Sequence, residues 1–222
     1  MYENCKGLRG SQSVGFSDCG SRMCESMFSG CTNITSVSVH FYGLNSYTAS
    51  NMFYGCTAIN SITLNVHTFY IVSKPTGQYN NDGQEIYEKI YPSGCCEGMF
   101  RSCTGLRNIT ENSITLPELP DEPDYPKLTP SFGIYMFENC TNLNTINMHL
   151  TFDKDQSKNI SNRAAAFMFK GCRSLSNINN LTIDGWLGSN ALEGMFMDCT
   201  SFESIWSSSP KALKINGERS CH

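Results

Sequence analysis

One short phrase recurs along the chain, and this repeat limits the possible folds more than any other feature of the sequence. "MFSGCTNITSV" at 27–37 returns as "MFYGCTAINSI" at 52–62. The shared pattern, Met-[Phe/Tyr]-x-x-Cys-x-x-[Leu/Ile/Phe], occurs seven times and begins at Met1, Met27, Met52, Met99, Met136, Met168 and Met195. Self-similarity of this kind is typical of folds built from stacked structural units. We number these units 1 to 7 by their motifs.

The spacing of the motifs indicates the kind of unit. Successive motif cysteines lie 26, 25, 47, 37, 32 and 27 residues apart, so the basic period is 25 to 27 and the larger gaps contain insertions. Leucine-rich-type repeats fall in this range, and each of their units supplies one short strand and one helix or helical turn. The spacing therefore predicts an α/β solenoid, a right-handed coil of about seven repeats with one parallel sheet of short strands opposite short helical turns.

The motif itself predicts the helical turn. On a helix, the Met at position i, the Cys at i+4 and the residue at i−3 share one apolar arc. The i−3 residues are small or apolar: Cys24, Ala49, Cys96, Gly133, Ala165 and Leu192. Most i+3 residues are types that tolerate the left-handed conformation at a helix end. They are Asn4, Gly30, Gly55, Ser102, Asn139, Gly171 and Asp198.

The residues after each turn predict a strand. "ITSVSV", "INSITL" and "LNTINM" alternate apolar with small polar side chains, as half-buried strands do. The apolar positions are expected to face inward: Ile34, Val37, Val39, Ile59, Ile62, Leu64, Leu143, Ile146 and Met148. The polar positions between them are expected to form an outward row on a parallel sheet: Ser36, Ser38, Ser61, Thr63, Thr145 and Asn147.

These motifs resemble the BspA-like leucine-rich repeats, whose units read roughly as Phe-x-x-Cys-x-x-Leu-x-x-Ile. The resemblance covers most of the chain. Here Met-Phe stands where Ala-Phe is usual, and the Ile-Gly that commonly precedes it is missing. Proteins of this type occur on gut and oral bacteria, on some parasitic protists and in phage-associated proteins. The resemblance implies adhesion or recognition.

Composition narrows the possible partners. Charged residues make up 16% of the chain and its net charge is −4, without a basic stripe of the kind that nucleic-acid binding requires. No apolar run is long enough to span a membrane as a helix, and "MYENCKGLRG" lacks the features of a signal peptide. We therefore expect no nucleic-acid partner and no membrane span.

The twelve cysteines favour a buried thiol row over a metal site. Each motif Cys recurs at the same inward position, where a free Cys behaves as a small hydrophobe, and no Cys-x-x-Cys pair has the spacing of a zinc site. Cys24 and Cys96 occupy the i−3 core position. This leaves Cys19, Cys95 and Cys221 as exposed thiols or disulfide partners, two alternatives that the sequence leaves open.

Histidines and aromatic residues at the strand ends supply the candidate binding residues. His40 and His149 each lie nine residues after a motif Cys, so they follow the repeat, which a catalytic base would not be expected to do. "HFYGLNSY" and "HTFYIVSKPTGQY" follow the strands of neighbouring units and either provide contact area or extend the core. The candidate binding residues are Ser36, Ser38, His40, Tyr42, Ser61, Thr63, Asn65, His67, Tyr70, Thr145, Asn147 and His149.

The repeat also predicts the domain organisation. Residues 1–206 are expected to form one repeat domain with insertions near 65–95, 110–133 and 150–162, and 207–222 a tail or cap. Insertions at the same point of each unit emerge on one side, where they often carry binding. Because Met1 begins directly on a motif with no capping unit before it, we expect further repeats, further domains or a docked partner at that end.

Two functions fit these observations. The first is a non-catalytic recognition and adhesion module of a bacterial cell-surface or secreted protein, with a protein or glycan ligand on another cell or host. The second is a structural or receptor-contacting component of a phage particle or other large assembly. No phosphate loop, nucleophile elbow or His-Glu-x-x-His motif is present, so we predict no enzyme, metal or cofactor.

Overall fold

The computed structural model describes residues 2–117, 129–151, 162–184, 187–201 and 213–216. These ranges contain ten strands and no helix. The strands are β1 (Gly10–Phe16), β2 (Ile34–Phe41), β3 (Ser61–Val66), β4 (Val72–Tyr79), β5 (Glu85–Ile90), β6 (Asn108–Ile109), β7 (Ile114–Thr115), β8 (Thr145–Thr151), β9 (Asn177–Asp184) and β10 (Leu213–Asn216).

Parallel pairing stacks the units in chain order in a solenoid-like repeat fold. One sheet has the order β1-β2-β3-β7 and the other β10-β9-β8-β6, and every pair in both is parallel. The predicted single sheet is therefore divided, and the division falls in unit 4, which supplies both β6 and β7. Between these two short strands the amide of Ser113 donates to the carbonyl oxygen of Thr110 at 2.9 Å, forming a turn that interrupts the strand.

The strands bury the residues that the alternation predicts. Val37 pairs with Ile62 and Val39 with Leu64, so equivalent residues of neighbouring units lie side by side. All nine predicted inward residues are buried. The polar residues between them are half-buried or exposed, which confirms the predicted outward row.

The segments before the strands are not the predicted helical turns. Within the described ranges they are consecutive turns over 22–30, 47–55, 95–102, 131–139, 163–171 and 190–198. Every fourth residue has a positive φ, as at Arg22, Ser26 and Gly30 in unit 2. Gly30 stands at the i+3 position of its motif. The left-handed conformation predicted for this position is confirmed in all seven motifs.

Backbone hydrogen bonds explain why these turn segments are not helices. The Met27 amide donates to the Cys24 carbonyl three residues back at 3.2 Å, whereas the next amide, that of Phe28, donates to Met52 of unit 3 at 2.9 Å. This alternation continues along each segment. A helix would bond all these amides internally, whereas here five amides in each of units 2 to 6 donate to the following unit. The turn segments therefore join the units as the sheets do.

A column of stacked aromatic rings runs along the units and is buried from Phe28 to Phe169. The motif aromatics of neighbouring units stack with centroids 5.2 to 5.7 Å apart and planes within 8° of parallel. The column comprises Tyr2, Phe28, Phe53, Phe100, Phe137, Phe169 and Phe196. Stacking aligns each unit with the next, because a ring that slipped out of phase would lose both neighbours.

The motif cysteines form a second column, and six of the seven have a hydrogen-bond role that the sequence did not reveal. From Cys31 onward, each motif thiol donates to the carbonyl oxygen of the motif aromatic in the preceding unit, at 3.0 to 3.2 Å. Each motif Cys except Cys5 is buried. The thiol is thus both a small core side chain and a donor that links two units.

The remaining described cysteines are also in the core. Cys24 and Cys96 are buried, as predicted from their i−3 position. Cys19 and Cys95 are also buried and free. The sequence-based expectation that they are exposed thiols or disulfide partners is therefore wrong. Cys221 lies outside the described residues.

The insertion of unit 3 contains a β-hairpin. Up to Phe69 the chain still follows the core, since Phe69 is buried and pairs with Leu44 of unit 2. Strands β4 and β5 then pair antiparallel, and nearly all their side chains are exposed. The predicted insertions near 110–133 and 150–162 lie partly outside the described residues, as does the tail, in which β10 pairs with β9.

Candidate binding surface on units 1 to 3

The structure separates the twelve candidate binding residues into two groups. Nine lie on β2 and β3 or just beyond their ends: Ser36, Ser38, His40, Tyr42, Ser61, Thr63, Asn65, His67 and Tyr70. The other three, Thr145, Asn147 and His149, lie on β8 in the other sheet. The first group is the larger, and we use "binding face" as the name of this candidate surface.

Strand register arranges the binding face in rows across units 1 to 3. Ser11, Ser36 and Ser61 form one row, and Ser13, Ser38 and Thr63 form the next. Within the first row the Ser36 hydroxyl donates to Ser11 Oγ at 2.6 Å. Ser11 and Ser13 were missed from the sequence because the motif of unit 1 breaks after Leu8. The alternation in "SQSVGF" was the signal that could have identified them.

His40 is held at both ring nitrogens. Asn65 Nδ2 donates to His40 Nδ1 at 3.1 Å, and Ser38 Oγ lies 3.0 Å from Nε2. Because Nδ1 accepts a hydrogen bond, the neutral ring carries its proton on Nε2, which donates to Ser38 Oγ. A Ser-His-Asn triad needs the opposite polarity, with histidine accepting the serine proton. In the described arrangement the hydroxyl of Ser38 is therefore not activated as a nucleophile.

Tyr42 and His67 form an aromatic pair at the strand ends. They are equivalent residues of units 2 and 3, each directly after its strand. Their ring centroids lie 6.1 Å apart with planes 30° from parallel, and Tyr42 remains 63% exposed. The sequence predicted aromatic residues at this edge, and the register brings these two together.

Tyr70 extends the aromatic group across three units. Its hydroxyl donates to Asp18 Oδ1 of unit 1 at 2.8 Å. The ring passes over Gly43 of unit 2, where an added Cβ would lie 2.5 Å from a ring carbon. The hydrogen bond to Asp18 also raises the pKa of Tyr70, because it stabilises the protonated phenol. Nothing in the sequence around Asp18 indicates this partnership.

The second group is smaller. On β8, Thr145 pairs with Asn177 and His149 with Thr182 of the following unit. His149 is exposed, and Asn147 is half-buried. These residues continue the polar character of the binding face on the second sheet.

A charged network on the turn segments was also missed from the sequence. Glu138 is buried, and its carboxylate lies 2.6 Å from Arg101 Nε and 3.7 Å from Lys170 Nζ. The Arg101 guanidinium also lies over the rings of Tyr54 and Tyr135, at 5.9 and 5.5 Å. Because Arg101, Glu138 and Lys170 belong to units 4, 5 and 6, their ion pairs join successive units.

Two negative findings apply to the described part of the chain. There, His, Cys, Asp and Glu side chains do not gather in threes in a way that could hold a metal ion. Nor do those residues include an apolar helix of the length needed to cross a bilayer.

Comparison with known proteins identifies a family. The sequence profile of the BspA type leucine-rich repeat region matches six copies in the chain, over residues 2–82 and 118–218. No curated protein and no solved structure matches it.

Proposed function

Because the chain belongs to the BspA type leucine-rich repeat family, we propose that it is a non-catalytic recognition and adhesion module of a bacterial cell-surface or secreted protein. Proteins of this family are commonly adhesion or protein-binding proteins of the bacterial surface. The repeats themselves are typically non-catalytic. We propose that this chain binds a protein or glycan through its sheet face and inserted loops.

The binding face is the observation that carries this proposal. Hydroxyl and amide groups line up in rows on hydrogen-bonded strands, and the pair of Tyr42 and His67 lies at one edge of these rows. Exposed aromatic rings provide much of the contact energy of recognition surfaces. A rigid sheet presents such groups with little loss of conformational freedom on binding.

The hairpin β4–β5 supports a binding role for the insertion of unit 3. It begins two residues after Tyr70, and five of its large apolar side chains are exposed. They are Val72, Tyr79, Ile86, Tyr87 and Ile90. Exposed apolar side chains concentrated in one element are typical of interaction sites. We propose that the hairpin adds contact area for a protein ligand beside the binding face.

We propose that residues 1–206 wind as one right-handed coil and that 207–222 form its tail or cap. Parallel strands joined by crossover connections are almost always right-handed, and the parallel pairing of β1, β2 and β3 supports this hand.

The test is a binding screen of the full chain against an array of extracellular-matrix proteins and glycans. A variant carrying His40→Ala, Tyr42→Ala and His67→Ala removes the side chains at the edge of the binding face. A matched control carries Met23→Ala and Met197→Ala, which remove exposed apolar side chains from the turn segments. We expect the first variant to lose the signal and the control to keep it. Failure to bind any probe, or equal binding by both variants, would contradict the proposal.

A further inference from the structure

We propose that the ligand of the binding face is an uncharged oligosaccharide, held at an aromatic patch formed by His40, Tyr42, Asn65, His67 and Tyr70. This inference rests on the proposed function and narrows it to one ligand class. It is carried by the geometry of the patch, by the orientation of its polar groups and by its charge.

The exposed ring of Tyr42 supplies the platform. With 63% of its surface exposed and His67 beside it, it offers a broad aromatic surface at the level of the strand ends. One face of a pyranose ring carries several axial C–H groups whose hydrogens are slightly positive, and the face of an aromatic ring is slightly negative. Stacking a sugar on Tyr42 therefore combines apolar contact with an electrostatic match.

The polar groups of the patch are held in fixed orientations. His40 is fixed by Asn65 on one side and by Ser38 on the other. Since Ser38 Oγ accepts a hydrogen bond from His40 Nε2, the hydroxyl of Ser38 can donate its own hydrogen to a ligand. The phenol of Tyr70 donates to Asp18, which leaves its oxygen lone pairs as acceptors. Donors and acceptors that are already oriented suit a ligand covered with hydroxyl groups, because little conformational freedom is lost on binding.

The charge of the patch selects an uncharged sugar. Among the five patch residues and the side chains to which they are hydrogen-bonded in the preceding paragraph, the formal charge is that of Asp18, and the Tyr70 hydroxyl already binds its carboxylate. Sulfated, sialylated or phosphorylated ligands are usually held by arginine or lysine, and none of the five patch residues is either. An anionic ligand would instead approach Asp18 and be repelled.

The rows of the binding face give the oligosaccharide room to extend. The rows of Ser11, Ser36 and Ser61 and of Ser13, Ser38 and Thr63 cross β1, β2 and β3, next to the patch at the ends of β2 and β3. They present hydroxyl groups, which can both donate and accept. A protein ligand would match the apolar hairpin better than this hydroxyl surface. The hydroxyl rows therefore suit an oligosaccharide and the hairpin suits a protein, and the two kinds of probe distinguish these possibilities.

The experiment measures binding of the full chain to three sets of probes. They are uncharged oligosaccharides of mannose, galactose and N-acetylglucosamine, their sulfated or sialylated counterparts, and extracellular-matrix proteins. Isothermal titration follows any interaction seen on the array. We expect uncharged oligosaccharides to bind, Tyr42→Ala to weaken that binding at least about tenfold, and Tyr42→Phe, which keeps the ring, to retain it.

Two further variants make the result specific to the patch. Gly43→Ala places a Cβ against Tyr70 and is expected to weaken sugar binding by displacing that ring. Met23→Ala, on a turn segment, is expected to have no effect, and circular dichroism checks that each variant is folded. Binding to matrix proteins alone, or to anionic glycans alone, would overturn this inference and leave the proposed recognition function standing. Binding to no probe would overturn both.

Discussion

The Cys103 thiol donates a 3.2 Å hydrogen bond to the carbonyl oxygen of Phe53, which belongs to the preceding unit. The Cys56 amide donates to the same oxygen at 3.1 Å. This oxygen therefore accepts one bond from its own unit and one from the next. The arrangement recurs along the thiol column, so the motif cysteine contributes to the order in which units stack as well as to the core.

Cys103→Ala should destabilise the chain by about 1 to 3 kcal/mol, because it removes both the inter-unit hydrogen bond and buried volume. Urea denaturation followed by circular dichroism measures the change. The matched control is Cys5→Ala, since Cys5 is only partly buried. Cys5→Ala should lower the free energy of unfolding much less than Cys103→Ala does. Equal losses would contradict the role assigned to the column of motif cysteines.

Stability should fall at alkaline pH. Burial raises the pKa of the Cys56 and Cys95 thiols to about 12, from an ordinary value of 9.0. Between these values the folded chain keeps protons that the unfolded chain releases, so rising pH favours the unfolded state. The contribution of these two thiols to the stability of the fold is complete below pH 9 and is lost as the pH rises toward 12. Melting temperatures should therefore change little from pH 7 to 8.5 and decrease above pH 9.

Replacing cysteines in the column should reduce that alkaline loss. A chain carrying Cys56→Ala and Cys103→Ala has fewer thiols with a raised pKa, so its melting temperature should fall less steeply above pH 9, measured relative to its own value at pH 7. If the melting temperature of the original chain and that of this variant fall equally steeply above pH 9, the alkaline loss of stability does not come from the thiols.

Thiol labelling should follow burial. A short exposure to iodoacetamide at pH 8 should modify Cys5 before the other described cysteines, all of which are buried. Reactivity requires the thiolate, which burial suppresses. Peptide mass spectrometry identifies the modified sites, and labelling in urea provides the fully reactive reference. Early modification of Cys19 or Cys95 in the folded chain would contradict their placement in the core.

Gly171→Ala should lower the free energy of unfolding by about 1 to 3 kcal/mol, whereas Gly15→Ala should change it by less than about 0.5 kcal/mol. Gly171 has a φ of 72°, and an added Cβ would collide with Oδ1 of Asn139 in the preceding unit. Gly15 lies on β1, where an added Cβ meets nothing within 4 Å. Chemical denaturation of the two variants gives the comparison, and a similar loss for both would be inconsistent with the left-handed turn.

The sequence by itself determined the repeat, the inward set and the positions of the left-handed residues. Each depends on local chemistry that recurs in every unit. The alternation at Val37 and Val39 decides which side of the strand is buried, and the residue types at Gly30 and Asn139 permit a positive φ. The same local signals placed the serines and aromatics of units 2 and 3 on one face.

Only the tertiary structure decided how the units are joined. A helix and a run of turns can bury the same Met, Phe and Cys, and the choice depends on whether alternate amides, such as that of Phe28, find acceptors in the next unit. The bond between Tyr70 and Asp18 joins residues 52 positions apart. Such contacts depend on which units become neighbours and on how closely they approach, and these are properties of the assembled stack.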